Sequence, residues 1–166
     1  MIVLGIDPGN AITGYGLVQS TQNACECLAF GAIRLNSHWA FQFRLKTIYD
    51  RVSTLIQEYQ PEAVAFEDIF YSRNIKAALQ LGQARGAAMI AACNAEKLIS
   101  IYSPREIKQA LTGNGSAAKE QVRVMVQRLL RFNHPIEPLD ASDALAIAIC
   151  HANRYWSAKR IKILQP

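Results

Sequence analysis

Four acidic residues occupy positions at which carboxylates can do chemistry. Asp7 and Glu67 each follow a short apolar run that is predicted to be a buried strand, and Asp140 and Asp143 lie three residues apart near the start of the last predicted helix. Carboxylates at the ends of two strands of one sheet, together with a pair on a packed helix, can converge on two Mg²⁺ ions about 3.5 to 4 Å apart. Such a site suits phosphodiester hydrolysis, in which one ion activates the attacking water and the other neutralises the leaving 3′ oxygen.

Each of these acids also has a purely structural explanation. Asp7 begins the favoured turn sequence Asp-Pro-Gly, and Glu67 can be a solvated residue at the end of a strand. Asp140 is a good helix N-cap, and Asp143 at the third helical position suits the positive end of the helix dipole. The combination of all four acids is what favours a metal-dependent active site.

The charge balance of the chain supports this interpretation. Its 166 residues include 18 Lys and Arg against 13 Asp and Glu, which gives a formal net charge of +5 and a pI near 9.2. With the four candidate acids set aside, nine acids face 18 basic residues, so the remainder of the chain carries +9. A small acidic site in a basic body is typical of a metal-dependent nuclease, because a protein that only binds nucleic acid gains nothing from carboxylates near phosphates.

Length and apolar patterning limit the class of protein. A chain of 166 residues suits one globular domain, which we place at 1–154, followed by a basic C-terminal tail at 155–166. The longest apolar runs, 87–93 and 144–150, have seven residues each, whereas a membrane span needs about 20. The first residues predict a strand and not a signal peptide, and the four cysteines lack a CxxC pair. We therefore expect reduced thiols and a cytoplasmic protein that does not contact a membrane.

Periodicity predicts an α/β fold in which a mixed five-stranded sheet is flanked by α-helices. Three strands come first, followed by helix, strand, helix, strand and three helices. The strand-helix-strand part indicates parallel crossovers. The predicted strands are 2–6, 13–18, 26–35, 63–66 and 98–102, and the predicted helices are 39–59, 74–97, 104–111, 116–131 and one from about 140.

Local signals mark the starts of two of these helices. Ser103-Pro104-Arg105-Glu106 is a capping box with proline at the first helical position. Ser116 is expected to cap the next helix, which puts Lys119 at its third position, where its charge opposes the helix dipole. Lysine is favoured there if an anion binds, because the helix N-terminus and the loop 113–115 offer backbone N–H groups to a phosphate.

The helix predicted at 74–97 is rich in small residues. Gly82 and Gly86 each cost about 1 kcal/mol in a helix interior relative to alanine. Small residues allow the close approach of another element, either the sheet of the same chain or a second copy across a two-fold axis. Both explanations stay open from the sequence.

Several segments, in order and over 2–151, resemble the RuvC family of Holliday junction resolvases. They are Gly5-Ile6-Asp7-Pro8-Gly9, Thr13-Gly14-Tyr15-Gly16, Glu67 with Phe70, Leu81-Gly82-Gln83-Ala84-Arg85-Gly86, and Asp140-Ala141-Ser142-Asp143-Ala144-Leu145-Ala146. The first segment alone also resembles actin-like ATPases, which need a second domain and a second phosphate loop. The RuvC resemblance implies a ribonuclease H-like fold, a homodimer, and Mg²⁺-dependent symmetric nicking of four-way DNA junctions during recombination and repair.

The resemblance also implies roles for individual residues. Asp7, Glu67, Asp140 and Asp143 match the family's catalytic and metal-binding acids, with two Mg²⁺ ions per site and Mn²⁺ as a substitute. Some relatives have His at the last of these positions, so Asp143 makes the site all-carboxylate. The residues implied in DNA binding are Phe70, Tyr71, Arg73, Lys108 and Lys119, and those implied in the dimer interface are Gly82, Arg85 and Gly86. RuvA and RuvB, the branch-migration proteins, are the implied protein partners.

Two other classes of function stay open. One is a non-catalytic module that binds junctions, and the other is a nuclease of the same fold with a different substrate. Neutralising the four acids separates the first class, because binding without cleavage would survive the change. A panel of duplex, flap, hybrid and junction substrates separates the second.

Overall fold

The computed structural model describes residues 1–68 and 74–164, and these form five strands and five helices in the predicted order. The strands are β1 (Ile2–Asp7), β2 (Ile12–Ser20), β3 (Cys25–Arg34), β4 (Ala63–Glu67) and β5 (Leu98–Tyr102). The helices are α1 (Phe41–Tyr59), α2 (Ile75–Asn94), α3 (Pro104–Thr112), α4 (Lys119–Leu129) and α5 (Leu139–Leu164). In this part of the chain, none of the helices has the length and apolar character needed to cross a membrane.

The five strands form one mixed sheet in the order β3-β2-β1-β4-β5. The first three strands are an antiparallel meander, while β4 runs parallel to both β1 and β5. The parallel pairs require crossovers, which α1 and α2 provide. The prediction of a mixed five-stranded sheet with flanking helices is confirmed.

The sheet is covered on both faces, because successive residues of a buried strand point to opposite sides. Leu4 and Phe66 pack with α1 and α2, whereas Val3 and Ala65 pack with α3, α4 and α5. All four side chains are fully buried. This two-sided burial explains why β1 and β4 have continuous apolar sequences.

Helix α5 lies unusually close to the sheet, because glycines face it from β1 and β2. A Cβ atom at Gly5 would lie 2.1 Å from the carbonyl oxygen of Ala144, and one at Gly14 would lie 2.0 Å from that of Asp140. A side chain at either position would therefore push the helix away from the sheet. Gly14 also pairs with Asp7 across the β1–β2 ladder, so this contact brings the start of α5 to the end of β1.

The ends of α2, α3 and α4 test the local predictions. The capping box is confirmed, since the Glu106 N–H donates to Ser103 Oγ and the Ser103 N–H donates to Glu106 Oε2. Helices α2 and α4 end earlier than predicted, at Asn94 and Leu129. Glu96 and Arg131 adopt positive φ angles of 53° and 58° just beyond those ends, and a left-handed residue cannot continue an α-helix.

Two predicted helix N-caps are wrong. Helix α4 is capped by Ala118, not by Ser116, because the Ala118 N–H donates to the Gln121 side chain and the Ala118 carbonyl accepts the first helical hydrogen bonds. Lys119 is therefore the first helical residue and not the third. Helix α5 begins at Leu139, and the Ala141 N–H already donates to the Pro138 carbonyl. Asp140 and Asp143 therefore lie inside the helix, at its second and fifth positions.

The segment predicted as a tail continues α5. The helix runs without a break from the domain part to Leu164. Trp156 Nε1–H donates to Ser20 Oγ at 3.1 Å, which ties this part of the helix to β2. The division at 154 into a nuclease domain and a basic tail stays a prediction.

Candidate active site

The first pair of acids is brought together by strand pairing. β1 and β4 are parallel neighbours, and the last residues that pair between them are Ile6 and Phe66. Asp7 and Glu67, the next residue on each strand, therefore leave the same edge of the sheet side by side. Their position follows directly from two short apolar runs that each end in an acid.

The second pair of acids comes from the opposite layer. Because α5 crosses against β1 and β2 at the glycine contacts, its first turns lie over the end of β1. Asp140 and Asp143 are three residues apart, about 300° around the helix axis, so they project from neighbouring positions on one side. The structure thus places all four predicted acids at one edge of the sheet.

The electrostatics of the acids confirm that they share one environment. Burial and the nearby charges of Asp143, Glu67 and Asp140 together raise the pKa of Asp7 to about 7, with only Lys119 acting against them. The pKa of Glu67 is also raised, first by burial and then by Asp143. A carboxyl whose pKa is raised by burial and by neighbouring carboxylates is typical of a functional site.

Helix α4 directs two cations at one carboxylate of this cluster. Lys119 Nζ lies 2.7 Å from Asp143 Oδ2, and Arg123 Nη2 lies 3.7 Å from the same oxygen. Although burial opposes it, the hydrogen bond and charge of Asp143 raise the pKa of Lys119. Lysine at the start of α4, unfavourable for the helix dipole, is thus balanced by Asp143.

Arg123 is a site residue that the sequence reasoning missed. Its side chain is only 21% exposed, and its Nε is buried with no hydrogen-bond partner among the described residues. Arg123 follows Lys119 by four residues, so the two side chains lie on the same face of α4. That spacing could have predicted that Arg123 accompanies Lys119 at the site.

A cleft of about 230 Å³ adjoins the acids. Its lining includes the acids Glu67 and Asp143 together with Lys108 and Lys119. Lys108 was predicted from the resemblance alone, and its position on α3 brings it to the same cleft. Carboxylates that can hold cations and lysines that can hold a phosphate therefore line one space.

The chain matches the family model described as crossover junction endodeoxyribonuclease RuvC over residues 3–151. The chain belongs to the RuvC family. It is 49% identical over 153 residues to the crossover junction endodeoxyribonuclease RuvC of Geobacter sulfurreducens, a match that covers 92% of this chain and 93% of that protein. It is 44% identical over 162 residues to the protein of the same name from Pelodictyon phaeoclathratiforme, with coverage of 98% and 85%.

Solved structures of the RuvC family have the same fold. Thermus thermophilus RuvC superposes with a TM-score of 0.88 at 35% identity, covering 95% of this chain and 97% of that one. T. thermophilus RuvC in complex with a Holliday junction substrate superposes with a TM-score of 0.86 at 33% identity, with coverage of 93% and 95%. The prediction of a ribonuclease H-like fold is confirmed.

Nucleases of the RuvC family depend on a metal, and the donor chemistry of this site fits a hard divalent cation. All four candidate ligands offer carboxylate oxygens, which Mg²⁺ and Mn²⁺ favour. As placed, no three His, Cys, Asp or Glu side chains among the described residues surround a common point closely enough to hold an ion, and Lys119 neutralises Asp143. Lys119 thus places a positive charge beside the cluster.

The remaining predicted residues of this RuvC family member lie elsewhere. Phe70, Tyr71 and Arg73 fall outside the described residues. Gly82 and Gly86 lie on α2, where an added Cβ would meet no described atom within 4 Å. The described contacts of Arg85 lie within the same chain, at the end of β4.

Proposed function

We propose that this chain resolves Holliday junctions by nicking two opposed DNA strands of a four-way junction during recombination and repair. The observation that carries the proposal is the convergence of Asp7, Glu67, Asp140 and Asp143 at one sheet edge in a member of the RuvC family. The structural relative bound to a Holliday junction substrate supports the choice of DNA substrate. A DNA substrate and reduced cysteines favour a cytoplasmic location.

The residues at the cleft have separable roles in hydrolysis. The four carboxylates would hold two Mg²⁺ ions, with Mn²⁺ as a substitute, and bound metal would supply an activated water and charge neutralisation at the leaving oxygen. Lys108 and Lys119 face the cleft from α3 and α4 and offset the charge of the scissile phosphate. Water attacks phosphorus in line, the bond to the 3′ oxygen breaks, and the products are a 3′ hydroxyl and a 5′ phosphate. For Phe70, which follows β4 in the sequence, we propose stacking on unpaired bases near the strand exchange, and for Tyr71 and Arg73 we propose contacts with the DNA.

The experiment that tests this function uses a mobile four-way junction alongside duplex, flap and hybrid substrates of the same sequences. With Mg²⁺ we expect paired nicks on opposed strands of the junction, and with EDTA we expect binding in a gel shift without nicks. Equal cleavage of a flap or hybrid would instead assign a nuclease of this fold with another substrate. Binding without cleavage under Mg²⁺ and Mn²⁺ would assign a junction-binding module.

Paired nicking requires two equivalent sites, and we propose that α2 provides the two-fold interface of a homodimer. One stripe of α2 is apolar and exposed: Ile75, Leu79 and Ile90 are 73%, 64% and 56% exposed. The spacing of these residues places Gly82 and Gly86 on the same stripe. Since an added Cβ at either glycine would meet no described atom of the chain within 4 Å, we infer that their small size serves the approach of another molecule. RuvA and RuvB remain partners by resemblance.

Leu79→Glu is expected to convert the dimer to a monomer and to abolish coordinated nicking of both strands. A charge at the centre of an apolar interface must be desolvated without a partner, which typically costs several kcal/mol. Sedimentation velocity measures the mass, and a supercoiled cruciform plasmid reports single against paired nicks. The matched control is Leu98→Glu on β5, where Leu98 is 71% exposed, and it should leave both readouts unchanged. A Leu79→Glu protein that remains dimeric would contradict this interface.

A further inference from the structure

Arg85 lies on α2 but turns its guanidinium toward the end of β4. Its Nη1 is 3.0 Å from Asp68 Oδ1 and donates to the Glu67 carbonyl oxygen at 3.5 Å. The Arg85 side chain is only 17% exposed, whereas that of Asp68 is 51% exposed, so the arginine is largely buried and the carboxylate side of the ion pair is open to water. One guanidinium therefore contacts both the residue that carries a candidate metal ligand and the residue after it.

The end of β4 needs such support because it is paired on one side. The recorded ladder with β1 stops at Phe66, one residue before Glu67. On the other side Glu67 pairs with Tyr102, and the Asp68 N–H donates to the Tyr102 carbonyl at 2.8 Å. Arg85 on α2 thus contacts the part of β4 that extends beyond its pairing with β1.

We propose that Arg85 is a positioning residue for Glu67 and links the orientation of this carboxylate to helix α2. Arg85 fixes the peptide of Glu67 through its carbonyl and through the ion pair with Asp68, so the Glu67 side chain leaves a defined backbone. Residues 85 and 86 differ by 100° about the helix axis. Gly86 therefore belongs to the exposed stripe of α2 while Arg85 contacts the strand end, and one helix joins the proposed interface to the site.

The contact demands the shape of arginine as well as its charge. Both contacts are made by Nη1, whose two N–H groups lie in fixed directions in the guanidinium plane and can serve a carbonyl and a carboxylate together. Lysine at the same position keeps the charge but has one nitrogen on a flexible stem. Arg85→Lys should therefore retain the ion pair with Asp68 and lose part of the restraint on Glu67.

This inference rests on the proposed function, and metal binding tests it independently of cleavage. We expect Arg85→Ala to weaken Mn²⁺ binding, measured by electron paramagnetic resonance, about tenfold, the lower end of the range found when a residue that orients a metal ligand is lost. The kcat for junction cleavage should fall by a similar factor while KM and the sedimentation mass stay unchanged. Arg85→Lys should lie between Arg85→Ala and the wild type. Asp68→Ala should lose less Mn²⁺ affinity than Arg85→Ala, because Arg85 still contacts the Glu67 carbonyl, and the double variant should be no worse than Arg85→Ala.

The outcomes separate positioning from an interface role. Arg85→Ala that becomes monomeric with unchanged Mn²⁺ affinity would overturn the proposal and assign Arg85 to the dimer interface. Additive losses in the double variant would overturn it as well. Should Arg85→Ala fail to fold, Arg85→Lys and Asp68→Ala provide the same comparison. Wild-type protein that binds Mn²⁺ without cutting any junction would count against the proposed function, while the effect of Arg85→Ala on Mn²⁺ affinity would still decide the positioning role.

Discussion

Asp7→Asn is expected to lower junction cleavage by about 10²- to 10³-fold, the range typical when one electrostatic group is removed from a reacting centre. Asn keeps the size of the side chain but lacks the charge that a divalent cation requires. Junction binding should be retained or strengthened, because one negative charge near the DNA phosphates is gone. Single-turnover cleavage in Mg²⁺ and a gel shift in Ca²⁺ measure the two quantities separately.

Asp50→Asn is the matched control for this experiment. Asp50 lies on α1 and pairs with Lys46 on the protein surface, where ion pairs contribute little to stability. It should cleave and bind like the wild type. Undiminished cleavage by Asp7→Asn would remove Asp7 from the metal site, and loss of binding together with cleavage would indicate a role in substrate affinity.

Asp7→Asn is also expected to stabilise the metal-free protein, and the stabilisation should be larger at high pH. The pKa of Asp7 is raised from 3.8 to about 7 in the folded protein, so the folded state holds a proton that the unfolded chain releases above about pH 4. The wild type therefore loses stability as the pH rises from about 4 to 7, and above that range the folded protein keeps a charge that is buried among other acids. Asn at this position cannot ionise and avoids the cost.

A pKa difference of about 3 between the folded and unfolded states corresponds to roughly 4 kcal/mol in the free energy of unfolding at pH 8. At pH 5 the stabilisation of Asp7→Asn relative to the wild type should be smaller by about 2 to 3 kcal/mol. Urea unfolding of both proteins in EDTA at each pH measures the difference in the free energy of unfolding. Adding Mg²⁺ at pH 8 should stabilise the wild type more than the variant, because ligands of the folded state stabilise it. A gain that does not depend on pH would contradict the raised pKa.

The sequence determines the elements of this protein and half of its site. Each strand and helix follows from a local pattern, and the capping box at Ser103 is readable because its two partners are three residues apart. Asp7 and Glu67 are predictable because parallel strands that end in acids deliver them to one edge. The remaining two acids were found as a pair by their spacing, although the N-cap role predicted for Asp140 is wrong because the helix already begins at Leu139.

Contacts between distant segments are decided by the tertiary structure alone. Arg123 joins the site because α4 packs beside α5, and Arg85 reaches Asp68 across 17 residues of sequence. The sequence does not show why glycine is needed at Gly5 and Gly14, because the reason is the close approach of α5 in the folded protein. Such contacts depend on the relative placement of elements, which burial sets through the whole core, whereas a periodic pattern reports only which face of one element is apolar.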